Sequence, residues 1–421
     1  MQRHHRRSHA YVGNTVEMGR LLLLIYIGLL LYGSLYPFDH WRIPFQSPWR
    51  IMLPRGGHDP YSDILTNLLV YMPFGFLMMR VAAARRASAA LVVTVTLLGG
   101  AFSLGVEYLQ AFNPARVSSL GDVALNTSGT LFGALAATVL RPDARLGRYL
   151  LKWRDEYAIA GTLANVGLVA IGLWTLSQLT PLVPSLDMSS LRAGLKPAWY
   201  TLTGKVPFDR AQAMAYALSV GGLALLARTV LHRQYRSAVL FGAFVGAVLL
   251  LKIPIVSRQI SLEAIAGTGA GVLLAGVLRH STGRVRLLST AFLILGAVVI
   301  DELRFGAGGA LTAFNWVPFS GQLAHDLIGV ADLLDDIWPF VALAYLALLT
   351  RPVRPGMVAV AGALGLGALM FLLEWHQQAL PGRYGDITDV VTPVLAWLLP
   401  WLHPGVRRSA ATHPEDARSH A

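Results

Sequence analysis

The sequence predicts an all-α fold, a polytopic transmembrane helical bundle of about twelve spans arranged as three parallel four-helix repeats. Three observations predict it: a chain too apolar for water, apolar runs of bilayer length, and a polar motif that returns at fixed spacing. Of 421 residues, 54% are hydrophobic and only 14% charged, and the mean hydropathy is +0.52. Soluble domains carry roughly 25% charged residues, so this chain has too few charges to cover a water-facing surface. Its net charge of +12 sits in short breaks between apolar runs rather than on one module. That pattern belongs to membrane loops and argues against nucleic-acid binding. With no cysteine in the chain, disulfides, thiol nucleophiles and thiolate metal sites are excluded.

Runs of about 17–25 apolar residues can cross a hydrocarbon core. They lie at 20–36, 62–83, 88–110, 119–140, 156–180, 211–231, 236–254, 261–279, 286–303, 334–350, 356–378 and 386–402. The basic residues orient them. With the N-terminus in the cytoplasm, the short inner segments collect Arg3, Arg6, Arg7, Arg20, Arg80, Arg85, Arg86, Arg141, Arg145, Arg148, Lys152 and Arg154. They also take Arg228, Arg233, Arg236, Arg279, Arg284, Arg286, Arg351, Arg354, Arg407, Arg408 and Arg418, so most of the 35 Lys and Arg fall inside. The outer loops near 37–61, 183–210 and 304–333 are longer and hold fewer, as positive-inside topology requires. Both termini are therefore expected in the cytoplasm. The basic stretch before Leu21 superficially resembles a secretory signal. No Ala-x-Ala cleavage pattern follows Leu31, so this stretch is expected to be an uncleaved signal anchor.

Internal similarity divides the spans. Glu107, Gln110, Arg116 and Asp122 are matched in spacing by Glu374, Gln377, Arg383 and Asp389. Upstream, Tyr36-Pro37-Phe38 echoes Val317-Pro318-Phe319, and Met72-Pro73-Phe74 echoes Trp338-Pro339-Phe340. A fainter middle copy holds Pro207-Phe208, Arg258, Ser261-Leu262 and Glu263, with Leu249 in the place of Glu107. The expected organisation is a basic cytoplasmic N-terminus at 1–19, four-helix units at 20–150, 151–285 and 286–405, and a disordered tail at 406–421. Each unit begins and ends on one side, so the copies are parallel. Many secondary transporters use inverted repeats for alternating access, although parallel repeats also occur.

Ionisable groups in or beside a span cost about 2.5–3.5 kcal/mol each on insertion scales, so their placement needs a reason. The first unit has the fullest set: Asp39, Asp63, Asn67, Glu107, Gln110, Arg116, Asp122 and Asn126. Asp63 and Asn67, Glu107 and Gln110, and Asp122 and Asn126 each share a helical face. The topology brings them together at the outer ends of the second, third and fourth spans. Two compatible readings follow. In one, Arg116 bridges Glu107 and Asp122 as an ion-pair clasp, which offsets the desolvation of an isolated charge. In the other, the cluster binds a polar ligand from outside, with Arg116 suited to phosphate or carboxylate and the amides to hydroxyls. Glu107 and Asp122 could also act as acid and base, but their spacing fixes no reaction and no catalytic residue is assigned.

Other features have structural explanations. Gly129-x-x-x-Gly133 and Gly267-x-x-x-Gly271 allow close helix packing, and Pro73 and Pro339 kink their spans. Tyr36, Trp41, Trp49, Tyr61, Tyr108, Trp316 and Trp338 are placed as interfacial aromatics. His40, His58, His325 and His376 lack the His-x-x-x-His spacing of zinc motifs, so neither a metal nor a cofactor is expected.

The motif string resembles a known family. Leu35-Tyr36-Pro37-Phe38, Asp63 through Asn67 to Pro73-Phe74-Gly75, Glu107-x-x-Gln110, and Arg116 through Asp122 and Asn126 to Gly129 and Gly133 are similar to the VanZ-like family. The likeness covers roughly residues 20–140. The third unit looks like a degenerate copy, with Pro393 in the place of Asn126 and Leu333 in that of Asn67. The resemblance implies a bacterial cell-envelope protein. The family takes its name from a member associated with resistance to the glycopeptide teicoplanin, and its biochemical activity is not established.

Three functions are compatible with these residues. The first is a non-enzymatic envelope protein that binds an extracytoplasmic or lipid-linked polar ligand, such as a lipid-linked glycan or a glycopeptide. The second is a membrane-embedded enzyme acting on a lipid-linked glycan or lipid headgroup. The third is a transporter or flippase, against which stands the scarcity of polar residues within the spans beyond Asn165 and Gln178. Membrane lipids are the expected surroundings, and the sequence does not fix an oligomeric state. Reporter fusions test the topology: fusions after Arg55 and Arg116 should read periplasmic and those after Arg86 and Arg148 cytoplasmic, and a reversed pair would overturn it.

Overall fold

Hydrocarbon offers no partner for backbone N–H and C=O groups, so an apolar chain of this composition must satisfy them within helices. In a computed structural model, which describes residues 2–38, 41–53, 61–82, 87–185, 187–304, 312–324, 326–403 and 405–406, the named elements are all helical. Expectations resting on Asp39, His40, Arg55, His58, Arg85, Arg86, His325, Arg407, Arg408 and Arg418 fall outside the described residues.

The helices are α1 (Gln2–Leu35), α2 (Pro48–Ile51), α3 (Tyr61–Ala82), α4 (Ala89–Gln110), α5 (Leu120–Val139), α6 (Arg145–Tyr157), α7 (Thr162–Leu179) and α8 (Met188–Leu202). They continue as α9 (Arg210–Val230), α10 (Ala238–Lys252), α11 (Leu262–Val277), α12 (Gly283–Glu302), α13 (Ser320–Ala324), α14 (Asp326–Leu349), α15 (Pro355–Gln377) and α16 (Thr388–Leu402). Many begin where a short polar side chain can take an orphan N–H. Ser88 accepts from Leu91 N–H at 3.1 Å, Asp209 from Gln212 N–H at 3.0 Å, and Ser261 from Ala264 N–H at 3.0 Å.

Each predicted apolar run falls on a helix. Among the described residues, seven helices are long and apolar enough to cross a membrane: α3, α4, α7, α9, α11 with its 3-10 extension, α12 and α15. The 19–35 part of α1, α10 and α16 are shorter apolar helices. The two that remain, α5 and α14, carry Asp122 and Asn126, and Asp332, Asp335 and Asp336. Three elements differ from expectation. The outer loop at 183–210 contains α8, and α14 starts at Asp326 rather than 334. Before α7 runs α6, in which Arg148, Lys152 and Arg154 alternate with exposed Leu150, Leu151 and Trp153. This pattern suits an interfacial helix rather than a span.

The chain divides into two compact units, Met1–Arg154 and Asp155–Ala421. In the first, α5 lies against α3 through the predicted small-residue seam. A Cβ built on Gly133 would sit 1.9 Å from the Met72 carbonyl oxygen, and one on Gly129 would sit 2.3 Å from that of Leu68. Only glycine permits this approach. Against it pack two apolar groups, Leu30, Tyr71 and Phe74 on one side and Met79, Val92, Val95, Ala134 and Ala137 on the other. In the second unit one continuous core joins Trp174 of α7, Leu223 of α9, Ile294 of α12, Tyr345 of α14, Met370 of α15 and Trp397 of α16. The same seam recurs there, since a Cβ on Gly267 would meet the Ala213 carbonyl oxygen at 2.4 Å. Overpacking a tight seam costs about 1–3 kcal/mol. Gly133→Leu should therefore lower the melting temperature of the detergent-purified protein by several degrees, whereas Gly105→Leu, where a Cβ meets nothing within 4 Å, should leave it unchanged.

Candidate functional site

A helix leaves its last carbonyl groups without intrahelical partners and carries partial negative charge there. In the first unit those groups belong to the end of α1, and Arg116 answers them. Its Nε donates to the Tyr36 carbonyl at 2.7 Å and its Nη2 to that of Gly33. Two neighbours reinforce the join. Gln110 at the end of α4 donates to the Ser34 carbonyl at 2.8 Å. Asn113 in the turn that follows donates to the carbonyls of Leu35 at 3.2 Å and Pro37 at 2.7 Å.

Glu107 does a different task. It is 4% exposed, and its Oε2 accepts from the backbone N–H of Ser119, the residue that caps α5, at 2.9 Å. Its carbonyl accepts from Ser118 Oγ at 2.6 Å. A carboxylate facing a helix N-terminus meets the positive end of that helix dipole. These backbone bonds hold the hairpin between α4 and α5. Asp122 Oδ1 accepts instead from Asn67 Nδ2 at 2.7 Å, which ties α5 to α3. Asp63, one turn before Asn67, is exposed. Asn126 lies deeper on α5 and donates to Ser103 Oγ at 2.9 Å.

The predicted residues thus assemble, but in two groups. Arg116, Gln110 and Glu107 spend their hydrogen bonds on helix ends. Asp63, Asn67 and Asp122 form a polar face shared by α3 and α5. Asn113 and Ser103 escaped notice in the sequence, because an isolated Asn or Ser carries no spacing signal.

In the second unit the same bonds return. Arg383 donates through Nε to the Arg304 carbonyl at 3.2 Å and through Nη2 to that of Asp301 at 2.7 Å, at the end of α12. Arg258 donates through Nε to the Thr180 carbonyl and through Nη2 to that of Ser177 at 2.8 Å, at the end of α7. In all three cases Nε takes the carbonyl three residues beyond the one that Nη2 takes. The position three residues after Glu107, Leu249 and Glu374 behaves alike as well. Gln110 meets Ser34, Lys252 donates to Gln178 Oε1 at 3.0 Å, and Gln377 donates to Glu302 Oε2 at 2.6 Å. Each partner directly follows the residue whose carbonyl Nη2 holds. Glu374, buried at 1% exposure, accepts from Asp386 N–H at 3.0 Å, as Glu107 does from Ser119. Asp389 accepts from Gln322 Nε2 at 3.5 Å.

These contacts align Thr180 and Arg304 with Tyr36, where the proline motifs pointed to Pro207 and Pro318. Lys252 was missed because a single cation at the end of an apolar run looks like a loop residue. Around the end of α12, Arg304 pairs with Asp209 at 3.1 Å and Asp301 at 2.8 Å. Burial opposes ionisation of Asp209, but the Gln212 N–H and the Arg304 guanidinium hold it below the usual carboxylate range.

Hydrogen bonds to charged groups contribute about 1.5–3 kcal/mol. Arg116→Met should lower thermal stability by about that much, and the swap Arg116→Asp with Asp122→Arg should not restore it, because the acceptors are carbonyls. Recovery of wild-type melting in the swap would reinstate the ion-pair clasp.

Comparison with known proteins gives one match. The family model described as VanZ/LLP1 covers residues 18–141, the stretch that runs from α1 to just past α5. No curated protein and no solved structure matches the chain. The matched stretch includes α1 with the carbonyls that Arg116 holds, the Asn67–Asp122 bond and the glycine seam. Residues 18–141 are thus similar to the VanZ-like family, and the likeness covers under a third of the chain.

Proposed function

We propose that this protein is a multi-pass protein of the bacterial inner membrane, with about twelve spans and both termini cytoplasmic, that binds an extracytoplasmic or lipid-linked polar ligand through its first unit. The carrying observation is the division of labour at the outer end of that unit. Arg116, Gln110, Asn113 and Glu107 are engaged in closing helix ends. Asn67 and Asp122 join α3 to α5 in a fixed pair at 2.7 Å, with Asp63 exposed one turn before Asn67. A preorganised carboxylate beside an amide and an exposed second carboxylate suits a hydroxyl-rich or amide-bearing ligand, as in a lipid-linked glycan or a glycopeptide. Envelope polysaccharide processes and glycopeptide resistance are the two settings in which such a ligand occurs.

The recurrent arginine geometry supports three parallel copies of one four-helix unit. Parallel copies suit a scaffold with one specialised site better than they suit rocking about an inverted pair. The first unit keeps both Asn67 and Asp122. In the third, Leu333 replaces the amide, so binding is assigned to the first.

Native mass spectrometry of the detergent-purified protein tests the assignment, with a polyprenyl-diphosphate-linked glycan and teicoplanin as probes. The wild type should retain one of them, and Asp122→Asn and Asp63→Asn should each weaken retention about tenfold, equivalent to about 1.4 kcal/mol, with melting unchanged in Asp63→Asn. Equal retention by wild type and variants would remove the site. Chemical alteration of the glycan would replace binding by catalysis.

A further inference from the structure

Five arginines converge at the other end of the middle helices, and the family resemblance does not reach them. Arg228 ends α9, Arg233 and Arg236 lie in the turn after it, Arg279 follows α11, and Arg286 opens α12. They are near one another. Arg228 Nη1 donates to the Arg236 carbonyl at 2.6 Å and its Nη2 to that of Arg279 at 3.2 Å. Burial, together with the Arg286, Arg228 and Arg233 guanidiniums, pulls Arg236 below the usual arginine value. Positive-inside loops gather arginines for topology alone, and such residues ordinarily reach separately into water. Arg233 and Arg279 are exposed, but Arg228, Arg236 and Arg286 are partly buried, and the Nε atoms of Arg228 and Arg286 are buried with no hydrogen-bond partner. Among the described residues, none of the five makes an ion pair with a carboxylate.

Beside them is an open notch of about 300 Å³, its mouth included. One wall is polar, made by Arg228, Tyr235, Arg236 and Ser237, and the other is apolar, with Phe241 and Ala275. Ser237 caps α10, so the first-turn N–H groups of a long helix add partial positive charge at the same wall. Next to the notch, Val239 and Val277 expose about three quarters of their surface, at 78% and 76%. The notch therefore offers guanidinium donors at its head and aliphatic surface at its rim. We propose that it binds the phosphate group of an anionic phospholipid, whose acyl chains lie along the outer faces of α10 and α11. Bidentate guanidinium donors match phosphate oxygens, and basic pockets between membrane helices on the cytoplasmic side hold such headgroups. A soluble phosphate would use the same arginines but leave the aliphatic rim without a role.

The site is independent of the ligand assigned to the first unit. The full chain in neutral detergent is titrated with phosphatidylglycerol, phosphatidylcholine and inorganic phosphate, with bound species counted by native mass spectrometry. Phosphatidylglycerol should be retained in preference to phosphatidylcholine. Arg286→Gln, which removes a side chain whose Nε has no partner, should weaken that retention at least tenfold while elution volume and phosphatidylcholine binding stay unchanged. Arg279→Gln serves as the second variant, because Arg228 uses the Arg279 carbonyl and not its side chain. Equal retention of the two lipids, or undiminished phosphatidylglycerol retention in both variants, would overturn the proposal. Arginine-dependent binding of inorganic phosphate without a lipid preference would overturn the lipid assignment in favour of a soluble phosphate.

Discussion

The guanidinium of Arg116 closing the last carbonyls of α1 is the constraint on which the first unit depends. A helix that ends near a membrane boundary leaves strong acceptors where water is scarce. Arg116 donates there through two N–H groups held in a rigid fork, and so fixes both the end of α1 and the turn after α4. A lysine could supply charge but not the paired geometry. With that turn fixed, Ser119 is set under Glu107, α5 starts at a defined point, and Asp122 reaches Asn67.

Packing completes what the arginine begins. Gly129 and Gly133 let α5 approach the backbone of α3, and the depth of that approach decides which side chains meet. Lipid tails are as apolar as the helix surfaces, so close van der Waals contact and polar bonds hold such helices together. The second unit uses the same devices with different side chains. Arg258 and Arg383 take the place of Arg116, Lys252 and Gln377 that of Gln110, and Asp386 that of Ser119. The backbone acceptors are kept while the residues around them change, since a carbonyl makes no demand on the side chain of its own residue.

Function follows from what these fastenings leave over. In the first unit Asp63, Asn67 and Asp122 remain as a polar face between two helices, while Glu107 is committed to a helix N-terminus. At the opposite ends of α9 and α11, arginines gather without carboxylate partners around a half-apolar notch. Both features set charge in an environment that penalises it.

Much of the fold was legible in the residues because a bilayer imposes a length. Apolar runs near 88–110 and 356–378 had to be helices of about that extent, and α4 and α15 are. The glycine seam and the spacing from Glu107 to Asp122 could also be read directly, since both lie within a few turns of one segment. The partner of Arg116 could not. Sequence reasoning looked for a carboxylate and did not find the two carbonyls, at Gly33 and Tyr36 about eighty residues upstream, to which Arg116 donates. Every residue carries a carbonyl, so nothing in the sequence singles those out. The same holds for the helices α6 and α8, whose charged or proline-bearing segments read as loops. By itself the sequence determined that the chain is helical and apolar, because composition and period follow from the solvent the chain must satisfy. Only the tertiary structure decided which polar groups close helix ends and which join α3 to α5, because that depends on backbone atoms brought together from distant segments.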